Sequence, residues 1–122
     1  MESPYKGKTG LRRLINAFGY SMAGLKAAYT NEDAFRQEVL MTIILVPLAL
    51  YLGENGIAKA AMIASVLLVV IVELLNSSIE ATVDRISLEN HMLAKRAKDI
   101  GSAAVLISLI NLAVVWLLIL LG

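Results

Sequence analysis

The distribution of hydrophobic and polar positions along the chain predicts helices of two kinds. From about residue 10 to 29, apolar residues from Leu11 to Leu25 recur at spacings of three and four, while Arg12 and Arg13 lie on other faces. This pattern is typical of an amphipathic helix with a basic face, lying in the headgroup plane of a membrane. A helix packed against the chain's own core is the alternative.

Three longer apolar segments each predict a transmembrane helix. They cover about 33–52, 57–85 and 99–121, with a tight turn at 53–56 and a charged connection at 86–98. A helix needs about 20 residues, at about 1.5 Å each, to cross about 30 Å of hydrocarbon. We therefore expect an all-α integral membrane protein, with three transmembrane helices and one surface helix in a single membrane domain that covers residues 1–122.

The first span needs residues beyond its continuous apolar run. The run from Val39 to Leu52 covers only about 21 Å of helix. We expect Ala34 and Phe35 to extend it, with Glu38 pointing inward or reaching the membrane surface.

The composition agrees with a membrane protein and excludes several kinds of site. Hydrophobic residues make up 58% of the 122 residues, and the mean hydropathy is +0.73, both too high for an ordinary soluble domain of this length. The chain has no Cys and one His, which excludes disulfides, thiolate metal sites and a multi-histidine site within one chain. Residues 1–6 lack an apolar core, so we expect no cleavable signal peptide.

The basic residues predict the orientation of the spans. Those before the first span are Lys6, Lys8, Arg12, Arg13, Lys26 and Arg36, and those in the second connection are Arg85, Lys95, Arg96 and Lys98. Only Lys59 lies near the first turn. Because basic residues are enriched on the cytoplasmic side, we expect a cytoplasmic N-terminus and a C-terminus in the periplasm or outside the cell.

A polar face at the end of the second span is the strongest candidate for chemistry. At about 100° per residue, Glu73, Asn76, Glu80 and Asp84 fall on one narrow side of a helix. An acidic residue at the end of an apolar span is costly unless it faces a cavity, a metal ion or a partner. The alternatives are an interhelical hydrogen bond for Glu73 and a solvated helix face for Glu80 and Asp84.

Acidic and basic residues at one membrane edge suit phosphoryl transfer assisted by Mg²⁺. This ion is commonly held by one or two carboxylates together with substrate phosphates, and cationic side chains offset phosphate charge. The chain has neither a GxxxxGK[ST] loop nor a GxGxxG motif, so a nucleotide site would be of an unusual kind. The alternatives are that Lys95, Arg96 and Lys98 only orient the spans, and that His91 is a surface residue.

Three stretches carry a family resemblance. Residues 73–84 read ELLNSSIEATVD, residues 97–105 read AKDIGSAAV, and residues 31–38 read NEDAFRQE. In order and spacing they resemble the prokaryotic diacylglycerol kinase signatures E-x-x-N-[ST]-[AS]-[IL]-E-x-x-[VIT]-D, A-K-D-x-[GA]-[SA]-A-A-V and N-E-x-[AN]-F-R-x-E. The resemblance covers about residues 10–121.

The resemblance implies a homotrimeric helical bundle in the bacterial inner membrane. It implies transfer of the γ-phosphoryl group of ATP to the primary hydroxyl of diacylglycerol, which gives phosphatidic acid. Mg²⁺ is the implied cofactor, ATP the co-substrate and a membrane lipid the acceptor, with no nucleic-acid partner. The active sites are expected between neighbouring subunits at the cytoplasmic edge.

The resemblance also implies a role for individual residues. Glu73 is the expected base, Glu32 and Glu80 the metal ligands, and Asn76 a supporting residue. The residues implied for ATP are Arg13, Tyr20, Glu32, Glu80, Glu89, Asn90, His91, Lys98 and Asp99. The residues implied for the lipid are Arg13, Ala34, Phe35, Glu38, Glu73, Ser102 and Trp116.

Two other functions remain open from the sequence. Gram-positive relatives in this family prefer undecaprenol as the acceptor, although the loop that follows Arg85 favours the Gram-negative diacylglycerol type. The second alternative is a non-enzymatic membrane assembly factor or an ion-coupled carrier, in which Glu73 and Glu80 bind ions.

Overall fold

Four helices account for nearly all of the residues described by the computed structural model, which are 9–86 and 91–122. They are α1 (Gly10–Asn31), α2 (Asp33–Leu52), α3 (Gly56–Ile86) and α4 (Met92–Leu121). Within these two ranges there is no strand, so the predicted all-helical fold is confirmed. The contacts divide the chain into two compact units, one ending at Asn31 and one beginning at Glu32.

Helix α1 exposes its apolar residues. Leu11 and Phe18 are 72% and 68% exposed, and Leu14 and Ile15 are exposed to a similar extent. Ser21 Oγ, further along the helix, donates a hydrogen bond of 3.0 Å to the carbonyl oxygen four residues before it. Exposing apolar residues to water is unfavourable in free energy, so this face of α1 is suited to an apolar environment.

Helices α2, α3 and α4 are each long and apolar enough to cross a membrane. The shortest, α2, has 20 residues and is therefore about 30 Å long. Large apolar side chains such as Ile43, Ile71 and Leu106 are more than half exposed on them. Lipid tails can solvate such side chains, so a small core is compatible with spans that lie in a bilayer.

Helix α3 lies between the other two spans, because it packs against both α2 and α4. The α2–α3 turn is fixed by Asn55, whose Oδ1 accepts a hydrogen bond of 2.8 Å from the backbone N–H of Ala58 in the first turn of α3. A Cβ atom at position 53 would collide with the Lys59 side chain, so the tight turn between α2 and α3 requires glycine at this position.

The apolar core lies towards this turn. It consists of Ala49, Met62, Val66 and Trp116, which come from all three spans. The Trp116 indole N–H donates hydrogen bonds to the carbonyl oxygen of Met62 at 3.2 Å and to Ser65 Oγ at 3.1 Å. Because the ring is 9% exposed and its polar group is satisfied, Trp116 joins α4 to α3 as a core residue.

Helix α4 begins at Met92, within the predicted charged connection at 86–98 and seven residues before the predicted start at 99. His91 caps the helix, since its Nδ1 accepts a hydrogen bond of 3.1 Å from the backbone N–H of Leu93. Lys95 and Asp99, one turn apart, form an ion pair of 2.6 Å. The charged residues here are therefore held on a helix, which their polarity alone did not predict.

Candidate active site

The polar face of α3 passes from buried to exposed along the helix. Glu73 is 4% exposed and Asn76 is 9% exposed, Glu80 is half-buried, and Asp84 is exposed. Spacings of three and four place these side chains on one side of the helix. The face therefore begins in the packed interior and ends where water and a soluble ligand have access.

A second buried carboxyl group comes from α2. Glu38 is 8% exposed, and it lies close enough to Glu73 for the charge of Glu73 to act on it. The charges of Glu80 and Glu32 act on Glu73 in turn. Four carboxyl groups from two helices and the residue before α2 therefore gather at one end of the bundle.

Two buried acceptor atoms at this end have no hydrogen-bond partner among the described residues. They are Glu38 Oε2 and Asn76 Oδ1. A buried acceptor without a donor costs about 1–3 kcal/mol. In a native protein such atoms are rare and commonly belong to a ligand or catalytic site.

The backbone of α4 lies against this polar face at Gly101. A Cβ atom at this position would overlap the side-chain oxygen of Asn76. Glycine therefore lets the backbone of α4 cover Asn76 and bury it, and this contact fixes where the amide group can lie.

An ion pair joins α4 to α3 at the exposed end of the face. Lys98 Nζ lies 2.6 Å from Asp84 Oδ1, and the charge of Glu80 also acts on Lys98. Both side chains are about half exposed, so water and salt screen the pair and it contributes little to stability. The pair also holds the Lys98 ammonium group beside the carboxylates of Asp84 and Glu80, where the ammonium group can bind a phosphate.

The carboxyl groups of the described residues do not form a complete metal site. No group of three or more metal-ligating side chains comes together among residues 9–86 and 91–122. Mg²⁺ is commonly held by one or two carboxylates, with water and substrate phosphates filling the other positions. Glu32 and Glu80 fit this requirement, because both provide hard oxygen donors and both are half-buried, so solvent can reach them.

A shallow groove on α4 is lined by residues from that helix alone. They are Met92, Lys95, Arg96, Asp99, Ile100 and Ala103. The groove combines cations, a carboxylate and apolar residues along one helix face. A ligand in it would be enclosed only if further groups came from elsewhere.

The other residues implied by the resemblance lie in different settings. Phe35 is 3% exposed, next to the exposed Ala34, and Ser102 is exposed beside the buried Gly101. Trp116 lies in the core described above, and its assignment to the lipid remains a prediction.

The remaining ATP-binding candidates belong to α1 or to residues 89–91. Arg13 and Tyr20 are exposed residues of α1, which belongs to the other compact unit. His91 caps α4. Glu89 and Asn90 lie outside the described residues.

The helices and the carboxyl groups at one end of them define a small polytopic membrane protein with an acidic site. The family model for prokaryotic diacylglycerol kinase matches residues 19–120. A diacylglycerol kinase of Pseudomonas aeruginosa is 57% identical over 120 residues, which is 98% of each chain. The diacylglycerol kinase of Escherichia coli K12 is 52% identical, over 92% of this chain and 92% of its own. That of Helicobacter pylori 26695 is 46% identical, over 94% of this chain and 89% of its own. This chain belongs to the prokaryotic diacylglycerol kinase family.

Proposed function

We propose that this chain transfers the γ-phosphoryl group of ATP to the primary hydroxyl of diacylglycerol and so makes phosphatidic acid. The observation that carries the proposal is Glu73, a carboxyl group that is 4% exposed. It lies where the apolar part of a helix long enough to cross a membrane ends, in a member of this family. A lipid hydroxyl lies at headgroup depth, where the polar face of α3 begins. The similar proteins named diacylglycerol kinase support the choice of acceptor.

Glu73 acts as the general base. Its carboxylate accepts the proton of the lipid hydroxyl as the hydroxyl oxygen forms a bond to the γ-phosphorus. The bond between the γ-phosphorus and the bridging oxygen of ATP breaks, and ADP leaves with that oxygen. A base held at hydrogen-bonding distance from the hydroxyl contributes about 10²–10⁴-fold to the rate of such a step.

Asn76 on α3 and Lys98 on α4 support the transfer. Asn76 lies one turn beyond Glu73, and its unpartnered Oδ1 is free to accept a hydrogen bond from a donor that arrives with the substrates. Lys98 offsets phosphate charge, and Asp99, Glu89, Asn90 and His91 complete the contacts with ATP. From α1, Arg13 and Tyr20 contribute to the same nucleotide.

Glu32 and Glu80 would hold Mg²⁺. When bound, the ion neutralises phosphate charge and supplies electrostatic stabilisation as the phosphoryl group moves. Both side chains also act on Glu73 through their charge, which supports a metal site near the proposed base.

The lipid occupies a groove at the edge of the spans. Ala34, Phe35 and Ser102 lie at the depth where the polar face begins, and Glu38 lies beside the base. The apolar faces of the spans are exposed in the single chain, which allows the acyl chains of the lipid to lie along them.

The protein works as a homotrimer in the bacterial inner membrane, with each site shared between neighbours. The one-sided groove on α4 and the incomplete set of metal ligands support a composite site. The apolar face of α1 lies in the headgroup plane. The N-terminus and residues 86–98 are cytoplasmic, since most basic residues are there.

Phosphate transfer to two lipids tests the proposal. Labelled MgATP is incubated with the protein in mixed micelles that contain diacylglycerol or undecaprenol. We expect preferential labelling of diacylglycerol, and loss of labelling in Glu73→Gln. Preferential labelling of undecaprenol would keep the mechanism and replace the acceptor, whereas no labelling of either lipid by a folded protein would overturn the assignment as a kinase.

A further inference from the structure

A groove lies between the ends of the three spans, at the α2–α3 turn and therefore at the end of the bundle opposite the carboxylates. Its volume is about 460 Å³, within the range of about 300–1,000 Å³ that is usual for small-ligand sites. All three helices contribute to its apolar lining, which consists of Leu52, Ile57, Ala58, Ala61, Ile119 and Leu120. None of the residues assigned to phosphoryl transfer lines this groove, so it is separate from the site described above.

Small residues on α3 make room for the groove. Ala58 and Ala61 are three residues apart, so they lie on the same side of the helix, and both are half-buried. The helix that carries them is long and apolar enough to cross a membrane. An unfilled space beside apolar side chains forfeits dispersion contacts, and an acyl chain fills such a space better than water does.

The rim of the groove adds polar groups to this apolar lining. Glu54 and Asn55 line the groove where the chain turns from α2 to α3. Asn55 Oδ1 accepts the hydrogen bond from the backbone N–H of Ala58, so the amide oxygen already has a role in the turn. The amide NH₂ group, which can only donate, is what Asn55 offers to a ligand.

Lys59 brings a cation to the same turn. Its side chain lies against Gly53, the residue before Glu54, since a Cβ atom at position 53 would collide with it. Neither Lys59 nor Glu54 forms an ion pair with another described residue. The turn therefore presents one positive and one negative charge that the described chain does not neutralise.

We propose that this groove binds an aminophospholipid of the phosphatidylethanolamine type, at the membrane surface opposite the acidic site. An acyl chain of the lipid lies against Ala58 and Ala61. The phosphate accepts hydrogen bonds from Asn55 and Lys59, and the ammonium group donates to Glu54. Phosphatidylglycerol lacks the cation, and the quaternary ammonium group of phosphatidylcholine has no N–H to donate, so both should bind less tightly. The bound lipid joins the ends of all three spans.

Native mass spectrometry of the full chain tests the proposal. The protein is released from micelles that contain equal amounts of phosphatidylethanolamine, phosphatidylcholine and phosphatidylglycerol with the same acyl chains. We expect phosphatidylethanolamine to be retained about two- to fivefold more than either of the others, which is the effect of an exposed ion pair. Ala61→Leu fills the groove and should remove this preference. The matched control is Ala60→Leu, which adds the same side chain at an exposed position of the same turn and should keep the preference.

Glu54→Lys tests the headgroup contacts without filling the groove, and it covers the case in which Ala61→Leu does not fold. Reversing this charge should shift the preference from phosphatidylethanolamine to phosphatidylglycerol, whose phosphate then meets two cations. Equal retention of the three lipids by the wild type would overturn the proposal, as would an unchanged preference in either variant when it is folded. A changed oligomer mass in Ala61→Leu with the lipid preference intact would instead assign the groove to a second copy of the chain. The experiment uses neither ATP nor diacylglycerol, so its outcome does not depend on the proposed function.

Discussion

Gly101 on α4 lies so close to Asn76 on α3 that any β-carbon at position 101 would overlap the Asn76 amide oxygen. Asn76 Oδ1 has no hydrogen-bond partner among the described residues, so this contact is what limits where the oxygen can lie. The backbone of α4 thereby sets the position of a side chain one turn from Glu73.

Gly101→Ala should reduce activity by moving Asn76. The added methyl group forces the amide to shift or the helices to separate, at a cost of about 1–3 kcal/mol in stability. We expect kcat to fall by about tenfold to 100-fold, since a displacement of about 1 Å in an active site can cost that much. Steady-state phosphate transfer and unfolding in detergent measure the two effects.

The control for the added methyl group is Gly24→Ala. A Cβ atom at Gly24 meets nothing within 4 Å, so this variant should keep wild-type activity. Full activity in Gly101→Ala would show that the position of Asn76 is not set by this contact.

Asp84→Asn should impair ATP use through Lys98. Without its 2.6 Å partner, the Lys98 ammonium is no longer held beside the carboxylates. We expect a higher KM for MgATP with little change in the unfolding midpoint, because the pair is exposed and screened. The difference in KM between the wild type and the variant should shrink as the salt concentration rises, because salt screens the ion pair.

A charge swap separates two roles of this pair, which are to join α3 to α4 and to place a cation for ATP. Asp84→Lys combined with Lys98→Asp restores attraction between α3 and α4 but moves the cation to the other helix. We expect the double variant to fold and to remain poor in ATP use. Recovery of the wild-type KM would mean that Lys98 acts only by joining the helices.

Trp116→Phe should weaken the fold with little effect on lipid use. The substitution removes the N–H that bonds to Met62 and Ser65, and we expect a loss of about 0.5–1.5 kcal/mol in unfolding free energy. Because the ring is 9% exposed, the KM for diacylglycerol should hardly change. A large rise in that KM at normal stability would instead place Trp116 against the lipid.

Glu80→Gln should raise the Mg²⁺ concentration that half-saturates the enzyme. Removing one charged oxygen ligand from an ion held by few carboxylates weakens its binding, by roughly tenfold or more. Titrating Mg²⁺ at fixed ATP measures the shift, with Glu54→Gln as the exposed acidic control. An unchanged Mg²⁺ requirement would remove Glu80 from the metal site.

Helical periodicity predicted the part of the site that belongs to one helix. Glu73, Asn76 and Glu80 share a face because of their spacing, and the apolar runs predicted three spans that the structure also has. The approach of Glu38 to Glu73 depends on how α2 and α3 pack, and no spacing within either helix records that register. The resemblance named Glu38 without indicating its neighbour.

Two further features were not predicted from the sequence, and both have physical causes. They are the start of α4 and the packing of Trp116. Polar composition suggested a connection up to residue 98, whereas the cap at His91 and the Lys95–Asp99 pair stabilise a helix from Met92 onward. The sequence position of Trp116, near the end of a span, does not show whether its side chain faces lipid or another helix. Only the packing showed that the Trp116 indole finds its acceptors on α3.

Helix α3 continues without a break from Gly56, at the α2–α3 turn, through Glu73 to Ile86. Glu73 therefore stands about 26 Å along the axis from Gly56, close to the thickness of a bilayer's hydrocarbon core, about 30 Å. A rigid rod of fixed length must tilt, or deform the bilayer, when the membrane becomes thinner or thicker. The depth of Glu73 in a bilayer should therefore change with membrane thickness, and we expect activity to depend on the acyl-chain length of the surrounding lipid without a specific binding site for it.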